Sequence, residues 1–119
     1  MKVIEGGVCA AKGFRANGVH CGRKNHSKKD LSLIFSTVPA SAAAVYTTNL
    51  VKGAPLTVTK KHIANGTAQA VICNSGNANT CNANGIEIAE EMSALAASAL
   101  GISADDVVVA STGVIGQPL

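Results

Sequence analysis

The stretch that most constrains this chain is Val107-Val108-Val109-Ala110-Ser111-Thr112-Gly113-Val114-Ile115-Gly116. A run of β-branched residues stops abruptly at Ser-Thr-Gly, as a buried strand does when it delivers a polar turn to one edge of a sheet. Gly113 lets the backbone come close to a ligand or take a positive φ, where a Cβ would obstruct. Thr112 adds a hydroxyl beside that backbone. One hydroxyl and one or two outward-facing N–H groups are the parts of an oxyanion hole. They are equally the parts of a tight polar turn with no chemistry, and spacing alone leaves both readings open.

A buried strand needs a core to enter. Hydrophobic residues make up 47% of the 119, but aromatics only 3%, with no Trp. The core must therefore be close-packed Val, Ile, Leu and Ala, and the length suits one domain, or part of one, over residues 1–119. The net charge of +3 is unevenly spread. Arg15, Arg23, Lys24, Lys28 and Lys29 crowd the N-terminal third, and Glu87, Glu90, Glu91, Asp105 and Asp106 the last third. The basic run over residues 23–29 has no interleaved aromatics for base stacking, so it reads as a solvated loop and no nucleic-acid partner is expected.

Cys9, Cys21, Cys73 and Cys81 show no C-x-x-C spacing. His20, Cys21 and His26 are close in sequence, but the adjacent pair chelates poorly, so no metal site is expected. Cys73 ends an apolar run and reads as a small buried hydrophobe. The N-terminus lacks the apolar region of a signal peptide, and no segment reaches transmembrane length. A cytoplasmic protein with reduced thiols and no membrane contact is expected, its sequons at Asn25 and Asn65 unglycosylated.

Along the chain, residues 6–22 are glycine-punctuated, short strands or extended loops with a turn-rich centre at 13–18. Residues 31–36 and 42–48 read as two strands, antiparallel neighbours because the link through Pro39 is short. Residues 55–58 suit a short strand, after which Thr59 would cap a brief helix over 60–65 closed by Gly66. Residues 68–73 are a buried strand. Five Asn and two Gly within residues 74–85 argue against regular structure there, with Asn side chains tying turns to backbone.

A long helix follows. Asn84 and Glu87 resemble a capping box, Ile88, Met92, Leu95 and Ala99 mark an apolar face, and Gly101 stops it. The final strand would then lie parallel to residues 68–73, across one βαβ crossover. The fold class expected is α/β, a mixed sheet with packed helices. Two parallel strands deliver their C-terminal ends to one edge, so the Asn-rich loop should pack beside Ser111-Thr112-Gly113.

That loop lacks the glycine spacing of either common phosphate-binding motif, so a nucleotide reading is weak. Ser75, Ser111 and Thr112 are hydroxyl candidates and His20, His26 and His62 the only histidines, but no nucleophile elbow is present. Acyl transfer by this chain alone would lack an evident activated nucleophile.

Several stretches, in order, resemble one family: Gly13-Phe14-Arg15-Ala16-Asn17-Gly18-Val19, Val38-Pro39-Ala40-Ser41-Ala42-Ala43-Ala44-Val45-Tyr46-Thr47, Gly53-Ala54-Pro55, Asn74-Ser75-Gly76-Asn77-Ala78-Asn79, and residues 109–116. They are similar to the bifunctional ornithine acetyltransferase/glutamate N-acetyltransferase family of arginine biosynthesis. The resemblance implies a precursor that cuts itself into α and β chains, with the β chain's new N-terminal Thr as nucleophile. That Thr takes acetyl from N-acetylornithine and passes it to glutamate in an α2β2 heterotetramer, with no cofactor.

The implied fold is a layered α/β sandwich resembling N-terminal-nucleophile hydrolases but differently connected. The family's Thr-Gly oxyanion pair falls on Thr112 and Gly113. The sequence stops at Gln117-Pro118-Leu119, and nothing in it matches the cleavage motif or the Thr nucleophile. The expectation is therefore the N-terminal part of an α chain, inactive alone. The alternative is a non-catalytic structural or partner-binding fragment of the same fold.

Overall fold

A computed structural model describes residues 1–22 and 28–119. Residues 23–27 of the expected basic loop lie outside the described residues, while Lys28 and Lys29 are exposed. Four strands form one mixed sheet in the order β1 (Phe14–Val19), β2 (Leu31–Ser41), β3 (Thr67–Asn77) and β4 (Val107–Val114). The first three pair antiparallel, and β4 lies parallel to β3. Helix α1 (Ala54–His62) precedes β3, and α2 (Gly85–Leu100) makes the crossover from β3 to β4.

The expected mixed sheet and parallel crossover are present, but several local expectations are corrected. Residues 13–18 are not a turn-rich centre, because β1 pairs with β2 from Phe14 to Val19. There is no second strand over 42–48. Instead β2 runs through Pro39 to Ser41, with a register shift between Phe35 and Ala40 that accommodates a residue unable to donate to the ladder. Beyond it the chain leaves the sheet, and Val45 is fully exposed.

Residues 55–58 are helical, and Thr59 is no cap: α1 starts after Gly53 with Pro55 in its first turn. There the missing N–H is no loss, since the first N–H groups of a helix have no partner within it. Gly66, at φ 79°, does close this segment.

α2 ends at left-handed Gly101 as expected, but its N-terminal Asn84 makes no side-chain capping bond, so the box does not form. The buried face agrees with the expected one only in part: Met92 packs on the core. Leu95 is 65% exposed and Ala99 is exposed, whereas Gly85, Ala89, Ser93, Ala96 and Ala97 are buried. Small residues line this face because they let the helix backbone sit close to the sheet and to α1. The core is built on that face: Ala96 and Ala97 meet Ala70 and Val107, with Leu33, Phe35 and Leu100 packed around them. Val58 of α1 meets Ala89 and Val109. Burying a Val side chain in full contributes roughly 1.5–3 kcal/mol, so Val58 and Val107 anchor the two helices to β4.

α1 also closes the outer edge of β4. The Thr59 hydroxyl accepts from Val109 N–H at 3.0 Å and donates to its carbonyl at 2.9 Å. His62 Nδ1 reaches the Val107 carbonyl at 2.9 Å, a contact that requires the proton on that nitrogen. These bonds occupy backbone groups that an added strand would use. The opposite face of the sheet is different. Ala16, Ile34, Val71 and Val108 stand in register across all four strands, and each is exposed or half-buried.

Candidate active site

The C-terminal ends of β3 and β4 run side by side, pairing Asn74 with Ser111, Ser75 with Thr112 and Gly76 with Gly113. The Asn-rich segment therefore meets Ser-Thr-Gly at one sheet edge, as parallel pairing predicts. β3 does not stop at Cys73, however. It absorbs Asn74-Ser75-Gly76-Asn77, because β4 offers backbone partners that far along. Cys73 is only half-buried, with Sγ 3.7 Å from the Asn74 carbonyl oxygen.

Gly113 is held at φ 133° and Gly76 at φ 124°. A Cβ on Gly113 would come within 2.3 Å of the Gly76 carbonyl carbon and 2.5 Å of Asn77 N. The glycine is thus required by backbone pressed on backbone, and the expected turn is corrected: β4 continues through Ser111-Thr112-Gly113 to Val114, because β3 offers backbone partners as far as Asn77. Thr112 and Gly113 are both exposed, and among the described residues the Thr112 hydroxyl has no hydrogen-bond partner. Alternation along β4 puts Thr112 on the face of Val108 and Ala110, away from the helices.

The segment behind this strand end is ordered by its own asparagines. Asn77 Nδ2 donates to the Gln117 carbonyl at 2.7 Å, and Asn82 Nδ2 donates to the same oxygen at 3.0 Å. Ala78 N–H bonds to Val114 O and Gly116 N–H to Thr80 O. Asn79, fully buried at φ 48°, is the hub. Its N–H donates to Asn77 Oδ1, its Nδ2 to Gly85 O, and its carbonyl accepts from Ala54 N–H, all at 2.8–3.0 Å. It thereby joins the start of α1 to the start of α2 beside the strand end.

Replacing Asn79 by Ala removes the side-chain bond that ties it to the start of α2 at Gly85 O, and puts a residue less tolerant of left-handed backbone at that φ. We expect Asn79→Ala to cost roughly 2–4 kcal/mol, read as a lower midpoint in chemical denaturation. The sequence pointed to asparagines bonding backbone but not to Asn79 in particular. The roles of Thr59 and His62 at the β4 edge also went unseen, because contacts 45–50 residues apart leave no local pattern.

Among the described residues no group of three His, Cys, Asp or Glu is placed to hold a metal ion, and no helix is long and apolar enough to cross a membrane. His20 instead lies 3.4 Å from Asp30, whose carboxylate also accepts from Cys21 N–H.

A mixed four-stranded sheet with two helices, its parallel pair ending side by side at Thr112 and Gly113, is an α/β fold consistent with the layered sandwich that resembles N-terminal-nucleophile hydrolases. Within that class the chain belongs to the ArgJ family, which it matches over residues 15–119. It is 53% identical over 118 residues to an arginine biosynthesis bifunctional protein ArgJ of Gloeobacter violaceus, covering 98% of this chain and 29% of the relative. It is 51% identical to the protein of that name from Symbiobacterium thermophilum, over all of this chain and 30% of the relative. The chain thus spans under a third of the length of these relatives.

Among solved structures, arginine biosynthesis bifunctional protein argJ from Bacillus halodurans superposes with a TM-score of 0.92 at 50% identity, covering 96% of this chain and 60% of that one. An ornithine acetyltransferase from Mycobacterium tuberculosis, solved in complex with ornithine, gives a TM-score of 0.84 at 41% identity, over 94% of this chain and 62% of that one.

Proposed function

We propose that this chain is the N-terminal part of the α chain of an N-acetyltransferase that moves acetyl from N-acetylornithine to glutamate. Its role is to supply the oxyanion hole, Thr112 and Gly113, to a Thr nucleophile at the N-terminus of a β chain, within an α2β2 enzyme of the cytoplasm. The observation that carries the reading is the Thr112–Gly113 end of β4. An exposed, unpartnered hydroxyl lies next to a glycine N–H, at the joined ends of two parallel strands and on the face the helices leave uncovered.

The chemistry follows from that geometry. When the Thr hydroxyl adds to the acetyl carbonyl, the carbonyl oxygen becomes negative. Donors already aimed at it stabilise the tetrahedral species more than the ground state. Collapse releases ornithine and leaves an acetyl ester on the Thr. The glutamate amine then adds to that ester through a second tetrahedral species at the same hole, which regenerates the hydroxyl. An amide becomes an ester and then an amide again, so the transfer balances without a cofactor.

The test uses the complete protein that carries this chain. Purified, it should resolve by mass into two chains and release ornithine from N-acetylornithine in a glutamate-dependent way, with acetate trapped on the β-chain Thr when glutamate is withheld. The 119-residue chain alone should transfer nothing. A complete two-chain protein that neither transfers nor becomes acetylated would favour a structural or partner-binding role.

A further inference from the structure

Asn74 and Ser111 lie opposite each other, one step before the Ser75–Thr112 pair. Both face the helix side of the sheet, as do Ile72 and Val109 two residues earlier on the same strands. Asn74 is 4% exposed. Its Nδ2 donates to the Asn77 carbonyl at 3.1 Å. A carbonyl only accepts, so the amide orientation is fixed and Oδ1 is turned away from Asn77. That Oδ1 and Ser111 Oγ are both buried, and among the described residues neither has a hydrogen-bond partner. Buried polar atoms are almost always satisfied, by protein or by an ordered water. Two unpaired oxygens on neighbouring strands, one able to donate and one only to accept, suit a water between them.

We propose that Asn74 and Ser111 are positioning residues for the Thr112–Gly113 strand end, linked by one buried water that accepts from the Ser111 hydroxyl and donates to Asn74 Oδ1. The inference rests on the oxyanion reading of that strand end. The linkage runs from Ser111 through the water to Asn74, and from Asn74 Nδ2 to the carbonyl of Asn77. Asn77 N is one of the atoms that a Cβ on Gly113 would meet, so the two backbones run close there. The tip of β3 is thereby held under Gly113 from the helix side, and the direction of the Gly113 N–H is set without either residue touching substrate.

The experiment is Ser111→Ala in the complete two-chain enzyme, read by amide hydrogen exchange and by kinetics. Exchange at Ala78, whose N–H bonds to the Val114 carbonyl across the two strand tips, should quicken about tenfold or more, while amides of α2 such as Ala96 keep their wild-type rates. A small misdirection of one donor should lower kcat roughly ten- to a hundredfold with KM little changed. Ser111→Thr, which keeps the hydroxyl, should restore both. Unchanged exchange at Ala78 overturns the linkage whatever the kinetics. Faster exchange with wild-type kcat overturns the positioning role and leaves a structural pair. Failure of the oxyanion reading is separately visible as a wild-type rate for Thr112→Ala, whereas the exchange measurement does not depend on that reading.

Discussion

Thr112→Ala in the complete enzyme should lower kcat by roughly ten- to a thousandfold, the range for removing one oxyanion donor. KM should change little, because the bond tightens only as negative charge develops on the acyl oxygen. Thr112 suits this assignment because it is exposed and unpartnered among the described residues, so its hydroxyl is free to rotate toward an incoming carbonyl. Thr112→Ser keeps the donor and should retain most activity. If self-cleavage uses the same hole, it slows as well, so the mass of both mature chains is checked before rates are compared. A correctly processed Thr112→Ala enzyme with wild-type turnover would make Thr112 a strand residue only.

Gly113→Ala should be more damaging. The new Cβ would sit 2.3 Å from the Gly76 carbonyl carbon and 2.6 Å from its oxygen, and those are backbone atoms that no rotamer change can move aside. Gly113 also holds φ 133°, which an L side chain rarely adopts. The ends of β3 and β4 would have to part, displacing the N–H that Gly113 contributes. A displacement of about 1 Å costs on the order of a hundredfold in rate, and a lost donor a similar factor, so kcat should fall at least about a hundredfold. Backbone strain of this kind costs on the order of 1–3 kcal/mol, so the denaturation midpoint should fall too. An Ala variant with wild-type stability and rate would mean that the two strand ends stand farther apart in the complete enzyme.

How far these features could be read from the sequence depended on how local their causes are. β3, α2 and β4 were legible: two apolar runs flank a helix closed by Gly101, and their C-terminal ends meet as parallel pairing requires. Thr112 and Gly113 were visible as a turn with two meanings, and only the family pattern chose between them. β1 was hidden by Gly13 and Gly18, which suggest turns when read locally, yet its partner in β2 is remote in sequence. α1 was hidden by Pro55, which breaks a helix interior but suits a first turn.

The expected stripe on α2 holds at Met92, which packs on the core, but fails at Leu95, which hydrophobicity favours and which is exposed. Also buried on α2 are Ala89, Ser93, Ala96 and Ala97, chosen by the close approach to the sheet rather than by apolar area. Asn77 and Asn79 showed only as members of an asparagine-rich stretch. Their separate duties depend on where Gln117, Gly85 and Ala54 arrive in space.

The most direct measurement is the structure of the complete enzyme with its acetyl ester trapped on the β-chain Thr. The acyl oxygen should lie about 2.7–3.1 Å from both Gly113 N and Thr112 Oγ1, on the sheet face opposite α1 and α2. An acyl oxygen held by other donors, beyond hydrogen-bond reach of both residues, would contradict the account.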